Sequence, residues 1–202
     1  MMKLYYSPGT IALASLITLE ELGVAYEPVR VDFTVAAQRG ADYLAINAKG
    51  RVPSLVTDQG VLTETPAILS YLAQTHPAAG LLSGDAFAVA RVQEMMSYLC
   101  STAHVSHAHR MRGSRWSDDP VVIEGLKLKV TRNVTEHFTY LEGRFVGPWA
   151  LGDYSLADPY LYVLASWCPS DGVDLARFPK IAAHFAAMNA RPAVQRALAV
   201  QS

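Results

Sequence analysis

The sequence predicts a small α/β domain followed by an all-helical one, and three observations carry that expectation. Within the first 32 residues a strand, a helix and a second strand succeed one another, the order of a βαβ unit. Between Ser54 and Leu72 two short apolar runs, joined by a glycine-containing connection, lead straight into a helix with one apolar face. Beyond about residue 85 strand signals largely vanish and capped helices follow one another.

Taken in order, Lys3-Leu4-Tyr5-Tyr6 reads as a strand cut by Ser7-Pro8-Gly9. A helix follows, with Thr10 as its expected N-cap, Ile11, Ala14, Leu16 and Ile17 among its apolar positions, and Gly23 as its stop. Residues 25–32 form a second strand, placed at an edge by Pro28, which cannot donate to a ladder. Such a unit prefers a parallel pair and a right-handed crossover. Residues 34–46 read as a loop and a short helix. Pro53 then opens a hairpin of Ser54-Leu55-Val56-Thr57 and Val61-Leu62-Thr63 around Asp58-Gln59-Gly60. Thr65 suits an N-cap and Pro66 the first helical position, with Ile68, Leu69 and Leu72 on the buried face.

Residues 76–85, with Pro77, Gly80 and Gly84, read as a linker, which gives domains of residues 1–77 and 85–202. Asp85 caps a helix over residues 86–111, and Asp119-Pro120 starts another that runs to about residue 142. Ser155 and Asp158 have capping-box spacing ahead of an apolar helix through Trp167, and Pro179 and Pro192 sit near the starts of two shorter helices.

The chain has 202 residues, 51% of them hydrophobic and 17% charged, with a formal net charge of −1. That is enough to bury a full core, and it carries no basic excess for nucleic acid. Cys100 and Cys168 lie far apart and outside any ligand spacing, so the expectation is a reducing compartment without a disulfide framework. No apolar run approaches a membrane span or a signal-peptide core, which predicts a soluble, cytoplasmic protein.

The hairpin delivers a helix N-terminus at a strand end, where unpaired N–H groups and the positive dipole suit a small carboxylate. The order Val52-Pro53, hairpin, Glu64-Thr65, helix resembles the glutathione-binding half of the glutathione transferases. Gly152, Ser155, Ala157 and Asp158 match that family's capped-helix signature in the second half. The resemblance implies a thioredoxin-like N-terminal domain, a helical domain that contributes an electrophile pocket, glutathione as co-substrate and a homodimer. It implies a cis Pro53, strand-like pairing of Val52 with the cysteinyl part of glutathione, and a γ-glutamyl end held by Glu64 and Thr65. Lys49 and Arg51 are candidates for the glycyl carboxylate, Arg51 with a bidentate fork.

A free thiol is only a few per cent thiolate at neutral pH, so it needs donors or positive potential around the sulfur. The stretch from Met2 to Thr10 is most similar to the bacterial beta class, whose cysteine is replaced here by Ile11 and whose polar neighbour is replaced by Ala12. Thr10 stands where serine-type classes carry their activating serine, which makes it the principal candidate donor, with Ser7 and Tyr6 next. Thr10 also serves as a cap, and the two roles are compatible. His104 aligns best with a beta-class histidine that faces the sulfur, while the adjacent lysine of that class is Val105 here. His107, Arg110, Arg112 and Arg115 are expected on a solvated face, and no metal set is expected from the histidines. Met111, Trp116 and Trp167 are candidate lining for an apolar electrophile, with plain core packing as the alternative. The reading is therefore a glutathione transferase that acts on an apolar electrophile. Its rivals are a non-catalytic adaptor or regulator on the same fold and a glutathione-dependent isomerase, peroxidase or dehalogenase.

Overall fold

The computed structural model describes residues 1–82 and 84–202; Ser83, in the expected linker, lies outside the described residues. The chain forms two compact units, Met1–Gly84 together with Asn189–Ser202, and Asp85–Met188. The last helix, grouped by sequence with the helical domain, thus belongs to the first unit.

In the first unit β1 (Met2–Tyr6), β2 (Tyr26–Arg30), β3 (Ser54–Thr57) and β4 (Gly60–Thr63) form one sheet in the order β2-β1-β3-β4. β2 is an edge strand parallel to β1, as Pro28 requires, and β3 is antiparallel to both β1 and β4. α1 (Ala12–Leu22) makes the crossover and ends at Gly23, whose φ of 64° is the left-handed stop that glycine accepts without a Cβ clash. The hairpin is tighter than its sequence suggested: Thr57 pairs with Gly60, which leaves only Asp58 and Gln59 in the loop. α2 (Ala41–Ile46) precedes the hairpin, and α3 (Thr65–Thr75) follows it and packs on α1. Leu4, Leu16, Ile17, Leu55, Ile68, Leu69 and Leu72 are fully buried between these elements.

The second unit is helical. α4 (Ala86–Tyr98) is capped by Asp85, which accepts the Ala88 N–H at 2.7 Å. A wide π turn over Leu99–Ala103 joins it to α5 (His104–Arg112). The single helix expected from Asp119 is two, α6 (Pro120–Leu128) and α7 (Val130–Arg144). The break comes where the Lys129 N–H turns back to Leu126, a 3.2 Å bond that tightens the last turn. α6 buries no residue, whereas α7 buries Val130, Val134, Phe138 and Leu141 on one stripe.

α8 (Ala157–Trp167) is the buried centre of this unit, and its start shows why Ser155 and Asp158 were needed. Ser155 Oγ accepts the Ala157 N–H at 3.3 Å, and Asp158 Oδ2 takes the Ser155 N–H at 2.7 Å. Asp158 Oδ1 receives the Ala150 N–H at 2.9 Å and His184 Nε2 at 3.0 Å. α9 (Pro179–Asn189) supplies that histidine; α10 (Pro192–Gln201) returns to the first unit, where it lies along α1. No helix of the described residues is long and apolar enough to cross a membrane.

Candidate functional site

Strand register decides where the candidate residues go. Tyr5 pairs with Ser54, and Ser54 pairs with Thr63. The C-terminal end of β1, the N-terminal end of β3 and the C-terminal end of β4 therefore lie side by side. From that one end of the sheet emerge the Ser7–Thr10 turn, the Val52-Pro53 segment and the Glu64-Thr65 start of α3. At a strand spacing of about 4.8 Å, β1 to β4 spans roughly 10 Å, about the reach of an extended tripeptide.

The Val52-Pro53 bond is cis, as the family resemblance implies. Val52 precedes β3, which begins at Ser54, so its backbone groups take no part in the sheet ladder. The segment before it is held by residues whose part the sequence did not reveal. Tyr43, raised above its usual pKa by burial and so kept protonated, donates to the Arg51 carbonyl at 2.6 Å. Asn47 Nδ2 donates to the same carbonyl at 2.7 Å and to Ser54 Oγ at 3.1 Å. Gly50 sits at φ 60°, and a Cβ there would come within 2.8 Å of the Gln38 carbonyl oxygen. Only glycine fits both demands. Asn47 ahead of Lys49-Gly50 is the available sequence signal, a side chain able to turn its own backbone: Asn47 Oδ1 accepts the Lys49 N–H at 3.1 Å.

At α3 the structure corrects the expected cap. Thr65 is the first helical residue and Glu64 the N-cap, neither side chain caps the helix, and Pro66 is accordingly second rather than first. Thr65 is 4% exposed, and its hydroxyl has no hydrogen-bond partner among the described residues. Glu64 has φ 68° and ψ 117°, outside the regions open to a residue with a side chain. Backbone strain of this kind is held where surrounding structure over-determines it, typically at binding sites. Lys49 Nζ reaches Glu64 Oε1 at 2.8 Å and Thr63 Oγ1 at 2.7 Å, an exposed pair of small intrinsic worth. Arg51 is exposed.

The three candidate hydroxyls before α1 differ in their commitments. Tyr6 donates to the Val200 carbonyl at 2.8 Å, and Thr10 donates to the Ser7 carbonyl at 2.7 Å. Thr10 Oγ1 also receives the Ala12 N–H at 3.4 Å, but the N-cap of α1 is Ile11, one residue later than expected, and it carries no side-chain cap. Ser7, 4% exposed, keeps its hydroxyl without a partner among the described residues. The N–H groups of Thr10 and Ile11, at the head of α1, are likewise unpaired there.

In the helical unit His107 and His184 are buried, and His104, His109 and His137 are half-buried. His104 Nδ1 is bonded to the buried Tyr160 hydroxyl at 2.9 Å, and the rings of His104 and His107 both meet Trp167, at 5.2 and 5.5 Å. His107 is not on a solvated face: it is 6% exposed and pairs through Nδ1 with buried Asp171, which Arg110 also approaches at 3.6 Å. Asp171 lies 64 residues from His107, so no local pattern announced the pair. Arg112, Arg115 and Met111 are exposed, and Trp116 is half-exposed against the His109 ring at 4.5 Å. His137 bridges the Tyr98 hydroxyl and Ser106 Oγ, each at 2.9 Å. Cys168 is fully buried, and burial, helped by Asp171, pushes its thiol up to about 12, so it is no nucleophile. Among the described residues no group of three or more His, Cys, Asp or Glu side chains is disposed to hold a metal.

Residues 1–74 match the family model for the glutathione S-transferase N-terminal domain. The chain is also 34% identical to glutathione S-transferase GST-4.5 of Xanthomonas campestris pv. campestris, over 98% of this chain and 97% of that one. It belongs to the glutathione S-transferase family. A solved glutathione transferase homologue from Sulfitobacter, with bound glutathione, is 46% identical and superimposes with a TM-score of 0.96 over 98% of this chain and 97% of that one. The maleylacetoacetate isomerase of Pseudomonas aeruginosa is 31% identical over 96% of this chain and 97% of that one. Transferases and an isomerase thus share this glutathione S-transferase scaffold along nearly its whole length.

Proposed function

We propose that the chain is a glutathione transferase that adds the glutathione thiol to an apolar electrophile. The convergence of the Ser7–Thr10 turn, Val52-Pro53 and Glu64-Thr65 at one end of three adjacent strands carries this reading. In it, the free backbone groups of Val52 pair with the cysteinyl residue. The start of α3, with the unpartnered Thr65 hydroxyl, takes the γ-glutamyl carboxylate, whose charge the helix dipole favours. Glu64 pairs with the α-ammonium, and Lys49 or Arg51 meets the glycyl carboxylate. The sulfur then lies at the turn before α1. There Ser7 Oγ, the hydroxyl not already donating within the protein, donates to the thiolate, while the N–H groups of Thr10 and Ile11 add positive potential. Thr10 holds the turn through the Ser7 carbonyl.

The thiol releases its proton to solvent, the thiolate sulfur bonds to the electrophilic carbon, and the leaving group departs with the displaced electron pair. Rate comes from the larger thiolate fraction and from holding both reactants together. A second reading, cis–trans isomerisation through reversible thiolate addition to a conjugated alkene, is favoured by the full-length similarity to the Pseudomonas isomerase. The experiment is retention on immobilised glutathione, followed by turnover of an activated aryl halide and of a cis-enedione acid. Retention with aryl halide turnover supports the transferase. Retention with turnover of the enedione alone supports the isomerase. Retention with neither supports the adaptor, and loss of retention removes glutathione from the account.

A further inference from the structure

Gly9 lies exposed in the turn between β1 and α1 at φ 69°. Its N–H donates to Gln201 Oε1 at 3.3 Å, across 192 residues of sequence. One position earlier, the Val200 carbonyl accepts the Tyr6 phenol. It is one of the four carbonyls that a helix end leaves unpaired. The other end of α10 is fastened as well. Arg191 forks onto Glu21 with bonds of 2.6 and 2.9 Å, and Arg196 reaches the Glu20 carboxylate at 2.7 Å and its carbonyl at 2.9 Å. α10 therefore runs antiparallel along α1, tied at its start to the end of α1 and at its last turn to the segment just before α1.

The Gln201 amide is satisfied on one side only. Its oxygen holds Gly9, while Nε2 is buried without an acceptor among the described residues. Flipping the amide would set Nε2 against the Gly9 N–H, donor against donor, so the orientation is fixed. A buried unpaired donor is unfavourable and calls for an explanation. A leucine would fill the same space without it. What leucine cannot supply is the acceptor that orients the Gly9 peptide, and that peptide leads directly into the unpaired N–H groups of Thr10 and Ile11.

We propose that Gln201 is a positioning residue for the thiol-binding turn, with α10 as the strap that carries it there. The proposal rests on the glutathione reading above for its catalytic consequence, but not for its effect on the turn. Gln201→Leu and Gln201→Glu in the full chain test it beside the wild type. The readouts are exchange of the Gly9 amide without ligand, the thiolate titration of bound glutathione, the thermal midpoint, and kcat and KM.

In Gln201→Leu the midpoint holds or rises, because the unpaired donor is gone. The Gly9 amide exchanges about three- to tenfold faster, and kcat near neutral pH falls by a similar factor with KM for glutathione within about twofold. In Gln201→Glu the acceptor and the Gly9 protection remain, but a carboxylate beside the turn moves the thiolate titration to higher pH. Unchanged Gly9 exchange together with an unchanged titration in Gln201→Leu would reduce the contact to a helix-end detail and overturn the proposal. If the wild type does not retain glutathione, the functional reading fails, and Gly9 exchange alone then decides whether Gln201 orients the turn.

Discussion

Removing the Ser7 hydroxyl tests how the sulfur is activated. Because that hydroxyl has no partner among the described residues, Ser7→Ala leaves folding stability nearly unchanged. A hydrogen bond to a charged acceptor is worth about 1.5–3 kcal/mol, which corresponds to about one to two pKa units. A free thiol near 8.5, lowered to about 7 when bound, is half ionised at pH 7. The bond favours the charged form, so its loss raises the pKa and moves activity to higher pH. Back at about 8.5 the thiol is roughly 3% ionised at pH 7, a loss of about sixteenfold in thiolate. The more basic thiolate is the better nucleophile, with a Brønsted slope of about 0.4–0.5, which returns a factor of about five. The expected net loss in kcat/KM is about threefold at pH 7, larger below it, gone by about pH 8 and turned into a gain of up to about fivefold well above pH 9. The assay is thiolate absorbance of bound glutathione against pH, with kcat/KM over the same range. Thr10→Ala is the comparison: it loses its bond to the Ser7 carbonyl and about 0.5–1.5 kcal/mol of stability, and by loosening the turn it moves the titration less than Ser7→Ala does. A shift of a unit in Thr10→Ala with none in Ser7→Ala refutes the assignment.

Three further outcomes are expected. Glu64→Gly and Glu64→Ala both weaken glutathione binding by calorimetry, but glycine relieves the positive φ and alanine does not. The glycine variant is the more stable by about 1 kcal/mol in thermal melts, and equal midpoints would show that Glu64 is not strained. Cys100→Ser combined with Cys168→Ala conjugates at near wild-type rate; a loss beyond about tenfold in a folded protein would reveal thiol chemistry outside the turn. His137 is held below its ordinary pKa, first by burial and then by His107. Its neutral form is favoured in the fold, so the stability it contributes is present above about pH 6.5 and is lost as pH falls toward the lowered value. The thermal midpoint of the wild type should drop more steeply below pH 6.5 than that of His137→Gln; parallel curves would exclude His137 as the titrating group.

Local chemistry made the fold legible. Pro28 marked an edge strand, Gly23 a helix stop, and Ser155 with Asp158 a capped helix, because each acts within a few residues of itself. The same locality misled at Thr65: an N-cap hydroxyl was the local expectation, but Glu64 takes the cap position in a conformation no propensity would choose. Glu64, Val52 and Pro53 were recognisable only through the family pattern. What sequence could not show depends on distant pairing. The Tyr6 and Gly9 bonds to α10 span more than 190 residues, and His107 finds Asp171 across 64. Of the three candidate hydroxyls only Tyr6 is committed to a distant partner; Thr10 is committed within its own turn, to the Ser7 carbonyl, a geometry that the residue types alone did not specify.

The wide turn at Leu99–Ala103 alters what the long α4–α5 segment can tolerate. There the His104 N–H bonds to the Leu99 carbonyl, five residues back instead of four, so the helix carries one residue more than its pitch requires. At the same place the Ser97 carbonyl accepts the Ser101 hydroxyl at 2.7 Å and, more weakly, Cys100 Sγ. Deleting a residue from a regular helix turns everything downstream by about 100° and would swing a buried face into solvent. Deleting one from this turn instead restores ordinary winding and leaves α4 and α5 in phase, with His104 and His107 still facing Trp167. Relatives one residue shorter at this point can therefore carry the same interior, and an alignment gap there marks no change in how the helical unit is built.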